Sequence, residues 1–118
     1  AQAAFSPDSS RILTVSSSWG SGMARVWDST SGALLFTLGT SAAFITSAAY
    51  SPDGTMIAVN SSPDQAHDFR TTIWDAQRGD VLTMLSGHTD QVMDAAFSPD
   101  STRIVTASYD GTARVWTI

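Results

Sequence analysis

Apolar and polar residues are distributed along this chain in short runs, each roughly five to eight residues long, rich in Val, Ile, Thr and Ala and bounded by Ser, Pro, Asp and Gly. Runs of that length and composition predict β-strands, because β-branched side chains suit a pleated surface and the breaks carry turn chemistry. The expected strands are Arg11–Ser16, Ala24–Asp28 and Ala33–Leu38; then Ile45–Tyr50, Met56–Asn60, Thr71–Asp75 and Asp80–Ser86; then Gln91–Phe97, Arg103–Ser108 and Thr112–Thr117. With a first strand opening the chain, this makes about eleven strands and leaves no room for a helix.

The runs repeat as a set. Phe5-Ser6-Pro7-Asp8, Tyr50-Ser51-Pro52-Asp53 and Phe97-Ser98-Pro99-Asp100 are one phrase, and each is followed by a tryptophan, at Trp27, Trp74 and Trp116. Self-similarity at roughly 40–45 residues is the mark of a propeller or solenoid repeat. The Pro just after the first turn residue presets φ, while Ser and Asp side chains can bond neighbouring backbone groups. Gly32 and Gly79 stand where the hairpin after each Trp-Asp pair needs a permissive residue. Each unit therefore reads as a four-stranded antiparallel meander.

Composition sharpens this all-β picture. The eleven acids are all Asp and the six bases all Arg, so the strong helix formers Glu and Lys are absent. That usage, with abundant Ala, suggests a high-GC bacterial source. The net charge of −5, with arginines dispersed, argues against nucleic acid or an anionic membrane as partner. No cysteine is present, which excludes disulfides, thiolate metal sites and a cysteine nucleophile. There is no apolar run of membrane-spanning length, and no signal-like opening, so a cytoplasmic location is expected. Because the first residue is Ala1, a fragment is also expected.

Gly87-His88, Trp27-Asp28, Trp74-Asp75, the three Ser-Pro-Asp turns and Asp110-Gly111 together resemble the WD40-repeat β-propeller family over essentially the whole chain. The resemblance implies a propeller segment of three four-stranded blades, each repeat lending its outer strand to the preceding sheet. The blades are expected at about 1–39, 42–86 and 89–118, the last lacking its outer strand. His88, Thr106, Asp110 and Trp116 match the hydrogen-bonded tetrad such repeats use. Thr14 with Trp27, and Asp68 with Trp74, match parts of it; the remaining positions are Ser21 in the first unit and Ser41 and Val59 in the second. His88 beside Asp110 and a hydroxyl also has the composition of a catalytic triad. That reading is set aside because the indole consumes the hydroxyl.

No cofactor or metal is expected. His67 has only Asp64 and Asp68 near it in sequence, and Asp8, Asp53 and Asp100 are accounted for by turns. Partner contact is expected on the face carrying Trp19, Phe44, Thr46, His67, Gln91, Met93 and Tyr109, where aromatics and Met suit an interface core. Propellers close with about 4–8 blades, so three units are expected to leave two bare sheet faces carrying residues such as Ile12, Val15, Ile104 and Val105. The expected function is a non-catalytic protein-interaction and assembly scaffold. Its ring would be completed by self-association, most simply a homodimer of six blades, or by further blades of a longer chain. A sensing segment of a larger bacterial signalling protein and an engineered half-propeller are the alternatives.

Overall fold

A computed structural model describes residues 2–16, 23–39, 44–62 and 69–118. Its strands are β1 (Gln2–Phe5), β2 (Arg11–Ser16), β3 (Met23–Asp28), β4 (Leu34–Gly39), β5 (Phe44–Tyr50), β6 (Met56–Ser62), β7 (Phe69–Asp75), β8 (Val81–His88), β9 (Val92–Phe97), β10 (Arg103–Ser108) and β11 (Ala113–Thr117). They form three antiparallel sheets, ordered β1-β2-β3-β4, β5-β6-β7-β8 and β11-β10-β9. The fold is all-β, with no helix among the described residues, and the sheets do not close into a ring.

The repeated phrases build recurring turns, the Ser-Pro-Asp turn three times and the Trp-Asp turn twice. In the Ser-Pro-Asp turn the aspartate gathers the loop. Asp53 Oδ1 accepts from Ser51 Oγ at 2.6 Å, Thr55 N at 3.0 Å and Thr55 Oγ1 at 2.7 Å, while Met56 N donates to Ser51 Oγ at 3.0 Å. Asp8 with Ser6 and Ser10, and Asp100 with Ser98 and Thr102, repeat this network. In the Trp-Asp turn, Asp75 Oδ1 accepts from the amides of Gln77 (2.8 Å) and Arg78 (3.0 Å), and Asp28 does the same for Thr30 and Ser31. Gly79 then takes φ +74°, and a Cβ there would lie 2.9 Å from Phe36 Cδ1, so both backbone and packing require glycine.

Those turns should set the acid limit of the fold. The Ser10 hydroxyl above all lowers Asp8 to about 2, and the Ser98 hydroxyl does the same for Asp100. Asp53 is lowered chiefly by Ser51. Asp28 is lowered first by the Ser31 amide and Asp75 first by that of Gln77. A carboxyl whose folded pKa lies below its unfolded value stabilises the fold above the unfolded pKa, and that contribution disappears as pH falls through the folded pKa. Urea midpoints should therefore be insensitive to these groups above pH 5 and fall steeply between about pH 4 and 2. Asp8, Asp53 and Asp100 changed together to Asn should flatten that slope.

Alternation along the strands sends side chains to opposite sheet faces, and the sheets stack head to tail. Between the first two lie Leu13, Val15, Ala24, Val26 and Leu38 from one sheet against Ile45, Ile57, Val59 and Trp74 from the next. Between the second and third lie Ala58, Ile73 and Leu85 against Ile104, with Phe97 and Trp116 packed alongside. Two expectations change here. Val15 and Ile104 are not on bare faces but inside these junctions, at 4% and 0% exposure. Val105 and the half-buried Ile12 are their neighbours on the outward sides.

Candidate functional site

The polar centre of the third sheet begins with four side chains, His88 on β8, Thr106 on β10, Trp116 on β11 and Asp110 in the turn between the last two strands. His88 ends β8, which is hydrogen-bonded into the second sheet, yet its ring points into the third. His88 Nδ1 lies 2.9 Å from Asp110 Oδ2 and Nε2 lies 2.7 Å from Thr106 Oγ1, and Trp116 Nε1 donates to Thr106 Oγ1 at 3.0 Å. A carboxylate only accepts, so Nδ1 carries the hydrogen and Nε2 accepts from the threonine hydroxyl, which is then free to accept from the indole. The carboxyl of Asp110 is pushed well below the usual carboxylate range, first by the Thr112 hydroxyl and then by His88 and the Thr89 amide. Thr106 is buried and both its hydroxyl roles are spent, so the set offers no nucleophile to a substrate. Its effect is to fasten the second sheet to the third.

Elsewhere the set is partial. In the first sheet Trp27 Nε1 donates to Thr14 Oγ1 at 2.9 Å. In the second, Val59 stands at the equivalent position, and Trp74 Nε1 is buried without a hydrogen-bond partner among the described residues. Asp68, Ser21 and Ser41 lie outside the described residues. A different buried network occupies that sheet: Thr71 Oγ1 donates to Asn60 Oδ1 at 2.6 Å, and Asn60 Nδ2 donates to Ser47 Oγ at 2.7 Å. Only the polar Asn60 within an otherwise apolar run (Met56–Val59) signals it in the sequence.

Two reciprocal changes should expose the cost of the missing partner. Val59→Thr gives Trp74 the hydroxyl that Trp27 and Trp116 have, and is expected to raise stability by about 0.5–1.5 kcal/mol. Thr14→Val should lower it by a similar amount. Among the described residues Tyr50 Oη is also buried without a partner, and Phe5 and Phe97 hold the equivalent positions. Tyr50→Phe should leave stability unchanged or raise it by up to about 1 kcal/mol. Urea unfolding followed by tryptophan fluorescence measures all three.

Of the expected partner face, Thr46 is used internally: its hydroxyl donates to Val92 O at 2.8 Å and ties β5 to β9. Gln91 and Met93 are half-buried, and Tyr109 stands out at 67% exposure. Trp19 and His67 lie outside the described residues, as does the Phe44 side chain. A cleft of about 200 Å³ sits between the first two Ser-Pro-Asp turns, near Asp8, Arg11, Tyr50 and Asp53. It has a plain origin. At the next junction Ser101 Oγ reaches the Asp53 amide at 3.3 Å, whereas Gly54 has no side chain to reach Pro7 or Asp8.

The outward face of the third sheet is the most informative surface. Val105 and Val115 are cross-strand partners, as are Leu13 and Val26, and Ala58 and Ile73. The first two pairs in chain order are at most 2% exposed, because the next sheet covers them. Val105 and Val115 are 40% and 68% exposed. The first sheet's outward face carries the complementary residues, Phe5, Ile12 and Trp27, whose equivalents Tyr50, Ile57 and Trp74 cover a neighbour.

The family model for the WD domain, G-beta repeat, matches residues 32–75 and 79–117. Each match starts at an outer strand, β4 or β8, that the fold gives to the preceding sheet. No curated protein matches the chain.

Proposed function

We propose that this chain, which belongs to the WD40-repeat family, is a non-catalytic assembly scaffold whose own end faces bring copies together. WD40 repeats generally mediate protein–protein interaction. The observation that carries the finer reading is the exposed Val105–Val115 face, whose equivalents on the other two sheets are sealed by a face of the Phe5–Ile12–Trp27 kind. Apolar area of this sort favours association. Head-to-tail contacts of two three-bladed copies would make a closed six-bladed ring, within the 4–8 blades typical of propellers. Further blades of a longer chain would satisfy the same faces in cis.

The acidic balance supports protein rather than nucleic acid or membrane as the partner, and the absence of cysteine suits the cytoplasm. Light scattering over a wide concentration range tests the reading. A particle of twice the chain mass is expected, reverting to monomer in Val115→Asp. A concentration-independent monomer of native β content would sink self-association.

A further inference from the structure

We propose that the cleft between the first two Ser-Pro-Asp turns is a binding site for an alkylguanidinium group, the chemistry that an arginine side chain of a partner protein presents. This goes beyond association through the end faces and does not depend on it, because the cleft lies between the first and second sheets.

The second unit departs from the other two at two positions, and both line this cleft. Ser9, Gly54 and Ser101 are equivalent, and all hold a left-handed backbone, at φ 64°, 75° and 61°. At the next junction the Ser101 hydroxyl accepts from the Asp53 amide at 3.3 Å and bridges neighbouring turns. Gly54 leaves the corresponding space open. Crowding does not force this, since a Cβ there would stand 3.6 Å from Pro7 Cδ, in ordinary contact, and Ser9 and Ser101 show that a serine tolerates the backbone. The other departure is Tyr50, where Phe5 and Phe97 stand in the remaining units. Its hydroxyl is buried with no hydrogen-bond partner among the described residues. One unit thus lacks a hydroxyl that would bridge the cleft and carries one beside it that the fold does not satisfy. A buried polar group left unpaired calls for a partner from outside.

Charge and size define that partner. Asp8 and Asp53 stand exposed at the rim, and each gathers its own turn through Oδ1: Ser6 and Ser10 donate to Asp8, Ser51 and Thr55 to Asp53. The second oxygen of each carboxylate is left for a further donor. Arg11 is the one base in the lining, and it is already engaged: Nη1 donates to Ala76 O, and the guanidinium lies 5.3 Å over the Phe36 ring. Two carboxylates and one guanidinium leave a single negative charge, which one monocation neutralises. The volume of about 200 Å³ is that of about seven waters, close to a guanidinium with a propyl stem. It is too roomy for a bare metal ion, and the described residues hold no cluster of metal-ligating side chains. A planar guanidinium fork can donate to two carboxylates at once, whereas an ammonium is a compact, strongly hydrated point charge.

The probes are propylguanidinium, a blocked tripeptide with arginine between two glycines, and the same tripeptide with neutral citrulline in place of arginine. Each is titrated into the intact chain and followed by amide NMR. Saturable shifts at Asp8, Asp53, Thr55 and Gln77 are expected for both guanidinium probes, with Kd on the order of 1 mM. The citrulline peptide should bind at least about tenfold more weakly. Gly54→Ser, which restores the serine of the other two turns, should weaken binding by a similar factor without lowering the urea midpoint. Tyr50→Phe, which restores the phenylalanine, should weaken it at least about threefold, again in a stably folded chain. A tripeptide that binds more tightly than propylguanidinium assigns the cleft to a partner's arginine; equal binding assigns the same site to a small free guanidine. Absence of saturable shifts below about 10 mM, citrulline binding equal to arginine, or parental affinity in both variants overturns the proposal.

Discussion

His88→Ala is expected to destabilise the chain by about 1–3 kcal/mol, read as a lowered urea midpoint with an unchanged slope. The reason is the number of groups left behind. Removing the ring strands the Thr106 hydroxyl, which loses the acceptor for its hydrogen, and deprives the Asp110 carboxylate of a donor at 2.9 Å. Thr106 is buried, so water does not replace the lost partner. The effect should also be directional in space. Because His88 belongs to β8 while its partners belong to the third sheet, the loss should loosen β9–β11 more than β5–β7. Amide exchange in the third sheet should rise first. Thr106→Val is the controlled comparison, since it recreates in the third sheet the arrangement that Trp74 and Val59 already have in the second. If both variants melt with the parent chain, the hydrogen-bonded set contributes nothing to stability.

Much of this architecture is legible in the residues. The Ser-Pro-Asp phrase marks its turn because Ser and Asp satisfy the loop's own amides, which needs no distant contact. The strands Arg11–Ser16 and Arg103–Ser108 are bounded by such turns and fall where the pattern puts them. Long-range information is where local pattern stops. Alternation says that Ile104 and Val105 lie on opposite faces but not which face a neighbouring sheet covers, and Ile12 and Val15 pose the same question. Of these four, Ile12 and Val105 take the outward faces, while Val15 and Ile104 are sealed between sheets. The Thr46–Val92 bond joins strands 46 residues apart through a residue type that does not stand out from a Ser- and Thr-rich chain, whereas the Ser47–Asn60–Thr71 network joins neighbouring strands and has only the chain's single asparagine as its signal.

The neighbouring pair that alternation leaves ambiguous should separate most sharply by mutation. Ile104→Ala is expected to cost about 2–5 kcal/mol, because Ile104 is fully buried between the second and third sheets and its removal leaves a cavity against Ala58, Ile73 and Leu85. Val105→Ala, one residue on, should cost less than about 1 kcal/mol in dilute chain, since the side chain is already 40% exposed and the loss is mainly transfer of a partly wet surface. The ratio of the two effects is then a gauge of what covers the outward face. If a second copy seals that face in trans, Val105 becomes the counterpart of Leu13, which is 2% exposed under the second sheet. The cost of Val105→Ala should then climb toward that of a buried valine, about 2–3 kcal/mol, and do so only at concentrations where the particle mass has risen. Ile104→Ala should keep its own penalty throughout. A Val105→Ala cost that stays small across an association observed by light scattering would place the contact between copies somewhere other than this face.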